Sequence, residues 1–123
     1  MCLDRVTPVI KVPNIEKAKE FYLGFLSFDI DWEYILDEGR YVYLQISKDN
    51  CVLHLTEYCD DGCTGTSVRI ETNDLSQYQK TLIEKGYHGV SLVVKDMEWG
   101  TKDMEILDPF GNKLIFTSGI LTD

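Results

Sequence analysis

The sequence predicts an α+β fold of two βαβββ modules related by a pseudo-twofold axis, with mixed sheets curved around a concave cleft. A length of 123 residues suits one domain, and 44% apolar residues are enough for a core. Strand and helix patterns also recur in the same order in both halves. Asn14 and Asp74, each placed to begin a helix, are 60 residues apart, and the hairpin turns ending at Asn50 and Gly111 are 61 apart.

The first module spans about residues 5–57. Strands are expected at 6–12, 28–34, 41–46 and 51–56, and Asn14 can cap a helix after the first strand. Apolar residues at helical spacing mark one face of that helix: Ile15, Ala18, Phe21, Tyr22 and Phe25. In the second strand an apolar set alternates with acidic residues: Phe28, Ile30, Trp32 and Tyr34. This alternation predicts a half-buried strand.

The second module spans about residues 66–118. Strands are expected at 67–72, 89–95, 104–107 and 113–117. Asp74 can begin a helix whose apolar face carries Leu75, Tyr78 and Leu82, and Gly86 is placed to end it. Residues 57–65 are interpreted as the link between the modules. Because the whole chain has the length of one domain, residues 1–123 are interpreted as a single domain.

Composition excludes several classes of partner. Twelve Lys and Arg against 21 Asp and Glu give a net charge of −9, which repels nucleic acid. No apolar run reaches the roughly 18 residues of a membrane span, and the N-terminus lacks a signal segment. We therefore expect a cytoplasmic protein that binds neither membranes nor nucleic acid. The charge suits a cationic partner, or serves solubility alone.

The cysteines do not suggest a zinc site. Cys59 and Cys63 form one close pair, whereas Cys2 and Cys51 are isolated, and a structural zinc site needs a second pair. Cytosolic thiols are normally reduced, so four free thiols are expected. Oxidation of Cys59 with Cys63 is the alternative.

Strand parity assigns side chains to two faces of each sheet. One set is almost wholly apolar and should pack under the helices. The opposite set mixes Tyr41, Tyr43 and His54 with charged residues that include Asp103 and Glu105. Such a mixture on the concave side is typical of a binding wall.

Two long segments of the chain resemble a known family. The first runs from Thr7 to Tyr22, and the second runs from Trp99-Gly100 through Asp108-Pro109-Phe110-Gly111-Asn112 to Phe116. They resemble the vicinal oxygen chelate superfamily, also called the glyoxalase/bleomycin-resistance/dioxygenase superfamily, and most closely its bacterial bleomycin-resistance branch. The resemblance implies paired βαβββ modules and a homodimer whose clefts are formed by both chains.

The resemblance also locates the metal ligands of the superfamily's enzymes, at Thr7, His54, Ser67 and Ile115. Two hydroxyls and an aliphatic side chain are poor ligands for a divalent ion. We therefore expect no metal, no other cofactor and no catalytic residue. His54 is then either a cavity-wall residue that hydrogen-bonds a ligand or a histidine satisfied by the protein itself.

The remaining features favour small-molecule binding. Trp99 follows Glu98 in a polar stretch, and in the resistance branch this tryptophan lies in the drug-binding cleft. The hypothesis is a non-catalytic protein that sequesters a cationic or aromatic antibiotic-like ligand by stacking and cation–π attraction. The candidate ligand-binding residues are Trp32, Tyr41, Tyr43, His54, Glu98, Trp99, Asp103 and Glu105. The alternatives are a metal-dependent glyoxalase/dioxygenase-type lyase or transferase, and a ligand-sensing or interaction module. Core packing is the competing interpretation of Trp32 and Trp99.

Overall fold

A computed structural model describes residues 1–58 and 64–119. Contacts between residues divide the chain into two compact units, Met1–Thr64 and Gly65–Asp123. Each unit contains a four-stranded mixed sheet and a helix, so the α+β architecture predicted from the sequence is confirmed. Cys2 and Cys51 are free thiols, and the expectations for Cys59 and Cys63 lie outside the described residues.

The first unit has strand order β1-β4-β3-β2, with β1 parallel to β4 and the other pairs antiparallel. Its α-helix continues directly into a π-helical segment, Glu20–Phe25. The elements are β1 Val9–Lys11, α1 Ile15–Lys19, β2 Asp29–Leu36, β3 Tyr41–Lys48 and β4 Cys51–Thr56.

The second unit repeats this topology in the order β5-β8-β7-β6. Val9 of β1 is cross-strand to His54 of β4, and Arg69 of β5 is cross-strand to Ile115 of β8. The pairs of parallel strands in the two units therefore correspond in register. The elements are β5 Ser67–Glu71, α2 Leu75–Lys85, β6 Val94–Asp96, β7 Lys102–Leu107 and β8 Lys113–Ser118.

Both helices begin where the sequence predicts. Asn14 Oδ1 accepts a hydrogen bond of 3.1 Å from the backbone N–H of Lys17, and Asp74 Oδ1 accepts one of 3.0 Å from Gln77. Each bond satisfies an amide that has no partner inside its helix. Gly86 ends α2 with a φ of 68°, in the left-handed region that glycine adopts without strain.

The core of each unit lies between its helix and one face of its sheet. In the first unit, Lys19 of α1 pairs at 2.6 Å with Glu33, which is cross-strand to Leu44, so α1 covers the face that carries Leu44. In the second unit, the Tyr78 ring of α2 meets Phe116 edge-on at 5.1 Å. The apolar set predicted by parity is largely buried on these faces: Ile10, Val12, Leu44, Ile46, Leu53, Leu55, Val68, Met104, Ile106, Leu114 and Phe116.

Two strands are shorter than predicted. The strand expected at 6–12 is Val9–Lys11, the residues in register with His54–Thr56 of β4, and Val6 is exposed. The strand expected at 89–95 is Val94–Asp96, an edge strand that pairs with β7 over three residues. Without a neighbouring ladder, β-branched residues alone do not extend a strand.

The Asp108–Asn112 motif ties the last hairpin to the start of β5. Asp108 Oδ1 accepts hydrogen bonds from the N–H groups of Phe110 and Asn112, both at 2.8 Å. Asn112 Oδ1 in turn accepts from the N–H groups of Gly65 and Thr66, at 2.8 and 3.1 Å. The conformation of this turn therefore determines where the second sheet begins.

Candidate functional site

A β-bulge in β2 decides which side chains form the candidate site. Ile30 is cross-strand to Ile46, whereas Trp32 is cross-strand to Gln45, so Asp31 is an extra residue between them. Neighbouring residues on a strand point to opposite faces. Trp32 therefore lies on the opposite face from Ile30, and the expectation that the two share a face is wrong.

The predicted half-burial of this strand is also wrong. β2 is the edge strand of its sheet, and Ile30, Trp32 and Tyr34 are all exposed. Trp32 is 42% exposed, which excludes the core interpretation of this residue. Past the bulge, Trp32 and Tyr34 lie on the face of the first sheet that also carries Tyr43 and His54, which we call the open face.

Aromatic rings on the open face line a depression of about 430 Å³. Its lining consists of Trp32, Tyr34, Leu36, Tyr43 and Tyr58. The Trp32 and Tyr43 rings are nearly parallel, at an angle of 6° with centroids 6.0 Å apart. Aromatic surface of this size, open to solvent, is suited to a flat apolar molecule.

A chain of hydrogen bonds crosses the open face beside this depression. The Tyr43 hydroxyl lies 2.7 Å from His54 Nδ1, and His54 Nε2 lies 2.9 Å from Gln45 Oε1. Gln45 Nε2 donates to Asp31 Oδ2 at 3.0 Å, and the Ser47 hydroxyl donates to Asp31 Oδ1 at 2.9 Å. We call this chain of hydrogen bonds the relay: it runs from the bulged residue Asp31 through Gln45 and His54 to Tyr43.

The His54 ring is held by contacts within the protein, and a ligand contact by this residue stays a prediction. Both ring nitrogens have protein partners, and the ring also meets the Trp32 ring edge-on at 5.3 Å. Desolvation by burial lowers the pKa of His54 below its ordinary value of 6.5, so the ring is neutral at physiological pH.

Glu57 holds the edge of the depression in place. Its Oε2 accepts from the Ile15 N–H at 2.9 Å, and its Oε1 accepts from the Val42 N–H at 3.0 Å. The next residue, Tyr58, donates its N–H to the Thr56 hydroxyl at 3.0 Å, and its ring meets Tyr41 edge-on at 5.5 Å. Glu57 therefore joins the start of α1, β3 and the segment that carries the Tyr58 ring.

The other candidate residues lie in the second unit. Asp103 is on the predicted face but is only 5% exposed, and its carboxylate accepts hydrogen bonds from Arg69, Thr101 and Thr117. Glu105 is exposed, with its carboxylate 3.9 Å from the ammonium of Lys113. The expectation that Asp103 presents its charge to a ligand is therefore corrected, because that charge is paired with Arg69 inside the unit.

Trp99 and Glu98 lie in the loop between β6 and β7. The Met97 N–H donates to the Thr101 carbonyl at 2.8 Å, and the Gly100 N–H donates to the Met97 carbonyl at 2.9 Å. Both candidate residues are exposed at this turn, Trp99 by 46%. The structure thus brings Trp32, Tyr43 and His54 together and places Tyr41 beside them through Tyr58, while a ligand-binding role for Trp99 and Glu98 stays a prediction.

Neither a metal site nor a membrane helix is found in the described ranges. Over residues 1–58 and 64–119, no three His, Cys, Asp or Glu side chains are grouped so that they could hold an ion. Within the same ranges, no helix is long and apolar enough to cross a bilayer.

Sequence reasoning missed three parts of the site. Tyr58 lies outside any strand, so alternation could not assign it. Strict alternation over residues 28–34 makes Asp31 one of the acidic residues of a regular strand and gives no sign of the bulge. Leu36 lies beyond the predicted end of β2.

The paired βαβββ units define an α+β protein of the glyoxalase type. A family model described as glyoxalase superfamily protein matches residues 1–120. The chain therefore belongs to the glyoxalase superfamily. A comparison with curated protein sequences gives no match.

Solved structures share the fold at low sequence identity. An antibiotic-binding protein from Streptomyces sp. CB03234 superposes with a TM-score of 0.76 at 23% identity, covering 98% of this chain and 99% of that one. A bleomycin-binding protein in complex with bleomycin gives 0.74 at 19%, covering 96% and 100%. A glyoxalase/bleomycin resistance protein/dioxygenase superfamily member from Sphaerobacter thermophilus DSM 20745 gives 0.73 at 24%, covering 95% and 98%.

Proposed function

We propose that the protein binds and sequesters a flat aromatic, antibiotic-like small molecule on the open face, without converting it chemically. The observation that carries the proposal is the depression lined by Trp32, Tyr34 and Tyr43. Trp32 and Tyr34 are 42% and 62% exposed although both are large aromatic side chains. Exposed aromatic patches of this kind mark ligand or partner sites. The bleomycin-binding and antibiotic-binding structures support the same class of ligand.

A positive charge on the ligand should strengthen binding. The chain carries a net charge of −9, which concentrates cations near its surface. Trp32 and the tyrosines also offer ring faces, and the negative quadrupole of such faces attracts cations. Bleomycin and planar aromatic cations are therefore the first ligands to test.

The proposal includes a homodimer. A single sheet face contacts a flat ligand from one side, whereas most ligand sites bury about 70–90% of their ligand. A second copy of the chain supplies the missing wall in this proposal. Light scattering should give twice the 14.2 kDa chain mass at micromolar concentration. A monomer under those conditions would remove the dimer from the proposal.

Single-tryptophan variants locate the ligand. The chain has two tryptophans, so Trp99→Phe leaves Trp32 as the only indole reporter, and Trp32→Phe leaves Trp99. Bleomycin or 9-aminoacridine should quench the emission of Trp32 in a saturable titration. Quenching confined to Trp99 would move the site away from the open face. Flat titrations in both variants across a panel of planar cations would refute ligand binding.

A further inference from the structure

The relay on the open face assigns a direction to each hydrogen bond. An aspartate carboxylate only accepts hydrogen bonds, so Gln45 must turn its NH₂ group toward Asp31. The Gln45 carbonyl oxygen then faces His54 Nε2 at 2.9 Å and must accept a proton from it. The charge of Asp31 therefore places the single proton of the neutral imidazole on Nε2.

The same logic fixes the hydroxyl group of Tyr43. With its proton on Nε2, His54 presents Nδ1 as an acceptor, and the Tyr43 O–H donates to it at 2.7 Å. The hydroxyl proton is thus directed away from the depression. Because its proton is engaged by His54, the Tyr43 hydroxyl has only oxygen lone pairs to offer a bound molecule, and it can accept a hydrogen bond from that molecule but not donate one. By contrast, Tyr34, another lining residue, carries a hydroxyl that can rotate to donate or accept.

We infer that Tyr43 makes the site selective for flat aromatic molecules that carry an N–H or O–H donor at the ring edge. This inference rests on the proposed function and specifies the ligand class of the same site. A protonated ring amine or a phenol meets the requirement. A ligand that offers only an ether or carbonyl oxygen at that edge cannot form this hydrogen bond, because its oxygen and the Tyr43 oxygen are both acceptors.

A matched pair of probes tests the inference. 2-Naphthol and 2-methoxynaphthalene share one ring system, and only the naphthol carries a donor. Equilibrium dialysis with absorbance detection should show 2-naphthol binding about three- to tenfold more tightly, the range for one net hydrogen bond at a half-exposed site. Tyr43→Phe keeps the ring and should remove the difference. Tyr34→Phe removes a lining hydroxyl outside the relay and should preserve it.

Asp31→Asn tests whether the direction comes from the remote carboxylate. An asparagine can donate to the Gln45 carbonyl, which lets the relay run in reverse and turns the Tyr43 proton toward the ligand. The preference should shrink although no lining residue changes. Asp29→Asn removes the same charge from the same strand without touching the relay, and should retain the preference.

Acidification should have the same effect as Asp31→Asn. Protonated His54 donates from both nitrogens, so Tyr43 must accept from Nδ1 and can donate into the depression. Among residues 1–58 and 64–119, Tyr43 on β3 contacts His54 directly and Asp31 on β2 acts on it through Gln45. On β1, Lys11 is engaged elsewhere, since its ammonium donates to the Tyr58 carbonyl. Because burial lowers the pKa of His54 below 6.5, the preference should be intact at about pH 7.5 and fade only as the pH falls below 6.5.

The outcomes separate this inference from the proposed function. If both probes bind equally to the native protein, the selectivity is refuted while the aromatic site stands. If Tyr34→Phe removes the difference and Tyr43→Phe does not, the wrong hydroxyl has been assigned. If neither probe binds while planar cations still quench Trp32, the inference is refuted and the aromatic site stands. If planar cations do not bind either, the proposed function is refuted as well.

Discussion

The hydroxyl of Thr117 donates a hydrogen bond of 2.6 Å to Oδ1 of Asp103, its partner across β7 and β8. The same carboxylate accepts from Thr101 at 3.0 Å and is 3.1 Å from the guanidinium of Arg69. By strand register, Asp103 occupies the place in the second unit that Tyr43 occupies in the first, since each is opposite a threonine, Thr117 or Thr56. One sheet therefore presents aromatic rings where the other presents an ion pair satisfied within the unit.

Asp103→Asn should destabilise the protein by about 1–3 kcal/mol, because it removes the charge that pairs with Arg69 and can place an NH₂ group where Oδ2 lies 3.1 Å from that guanidinium. Glu105→Gln is the control, since Glu105 is on the same strand and exposed, and should change the free energy of unfolding by less than about 0.5 kcal/mol. Urea denaturation measures both variants. Equal effects would contradict a structural role specific to Asp103.

The pH dependence of stability should reflect the same carboxylate. Burial alone would raise the pKa of Asp103, but hydrogen bonds from Thr117 and Thr101 and the charge of Arg69 hold it below its ordinary value of 3.8. A carboxylate whose pKa is lowered by folding contributes stability above its unfolded pKa, and that stability is lost as the pH falls through the folded pKa. Below about pH 4, the native protein should therefore lose stability more steeply than Asp103→Asn. Acid titrations of both proteins, followed by circular dichroism, measure the loss. If the native protein and Asp103→Asn lose stability with the same dependence on pH, the prediction is contradicted.

Asn112→Ala should destabilise the second unit by about 1–3 kcal/mol, because it leaves the Gly65 and Thr66 amides without their acceptor. It also removes the bond from Asn112 Nδ2 to Asp108 Oδ2 at 2.8 Å. The exposed Asn73 serves as the control, and Asn73→Ala should be close to neutral. Hydrogen exchange should show the loss of protection at the Thr66 amide in Asn112→Ala. Unchanged protection there would refute the role of the motif.

The repeated architecture could be predicted from the sequence because its signals are local. Asn14 and Asp74 are caps, and apolar alternation within each strand indicates which side chains face the helix. The ends of the outer strands could not be predicted, since they depend on where a neighbouring strand supplies hydrogen bonds. Residues Val94–Asp96 form a strand only where β7 pairs with them.

The site was only partly predictable, for a different reason. Parity correctly grouped Tyr43 with His54, but one extra residue at Asp31 reverses the face of everything after it in β2. A bulge of this kind depends on cross-strand bonding, here from Asp31 to Gln45 and Ser47. The pairing of Asp103 with Arg69 likewise joins residues 34 positions apart, and no short-range pattern encodes it.

Purified protein soaked in zinc, nickel, manganese or iron(II) and then desalted should retain well below one equivalent of metal per chain. Among the positions implied by the family resemblance, His54 is a competent ligand, and both of its ring nitrogens are engaged by Tyr43 and Gln45. Mass-spectrometric metal analysis measures retention. Stoichiometric binding that His54→Ala abolishes would contradict the prediction and revive the enzymatic alternative.

Trp32→Ala should weaken the binding of planar cations by about 5- to 150-fold, because an aromatic contact with a cation–π component contributes about 1–3 kcal/mol. Its melting temperature should change little, since Trp32 is 42% exposed on an edge strand. Added salt should weaken binding to both proteins, because charge attraction is screened over about 10 Å at 0.1 M. Neutral analogues of the same size should bind less tightly and respond less to salt.

Trp99→Ala provides the comparison, since Trp99 is similarly exposed, at 46%, in the second unit. If Trp99 also contacts the ligand, this variant should lose affinity by a similar factor at an unchanged melting temperature. If Trp99 only packs locally, the melting temperature should fall while the affinity for cations is retained. Fluorescence competition against bleomycin measures affinity, and thermal denaturation measures stability. Equal affinities for a cation in the native protein and in both alanine variants would refute the assignment of the open face as the binding site.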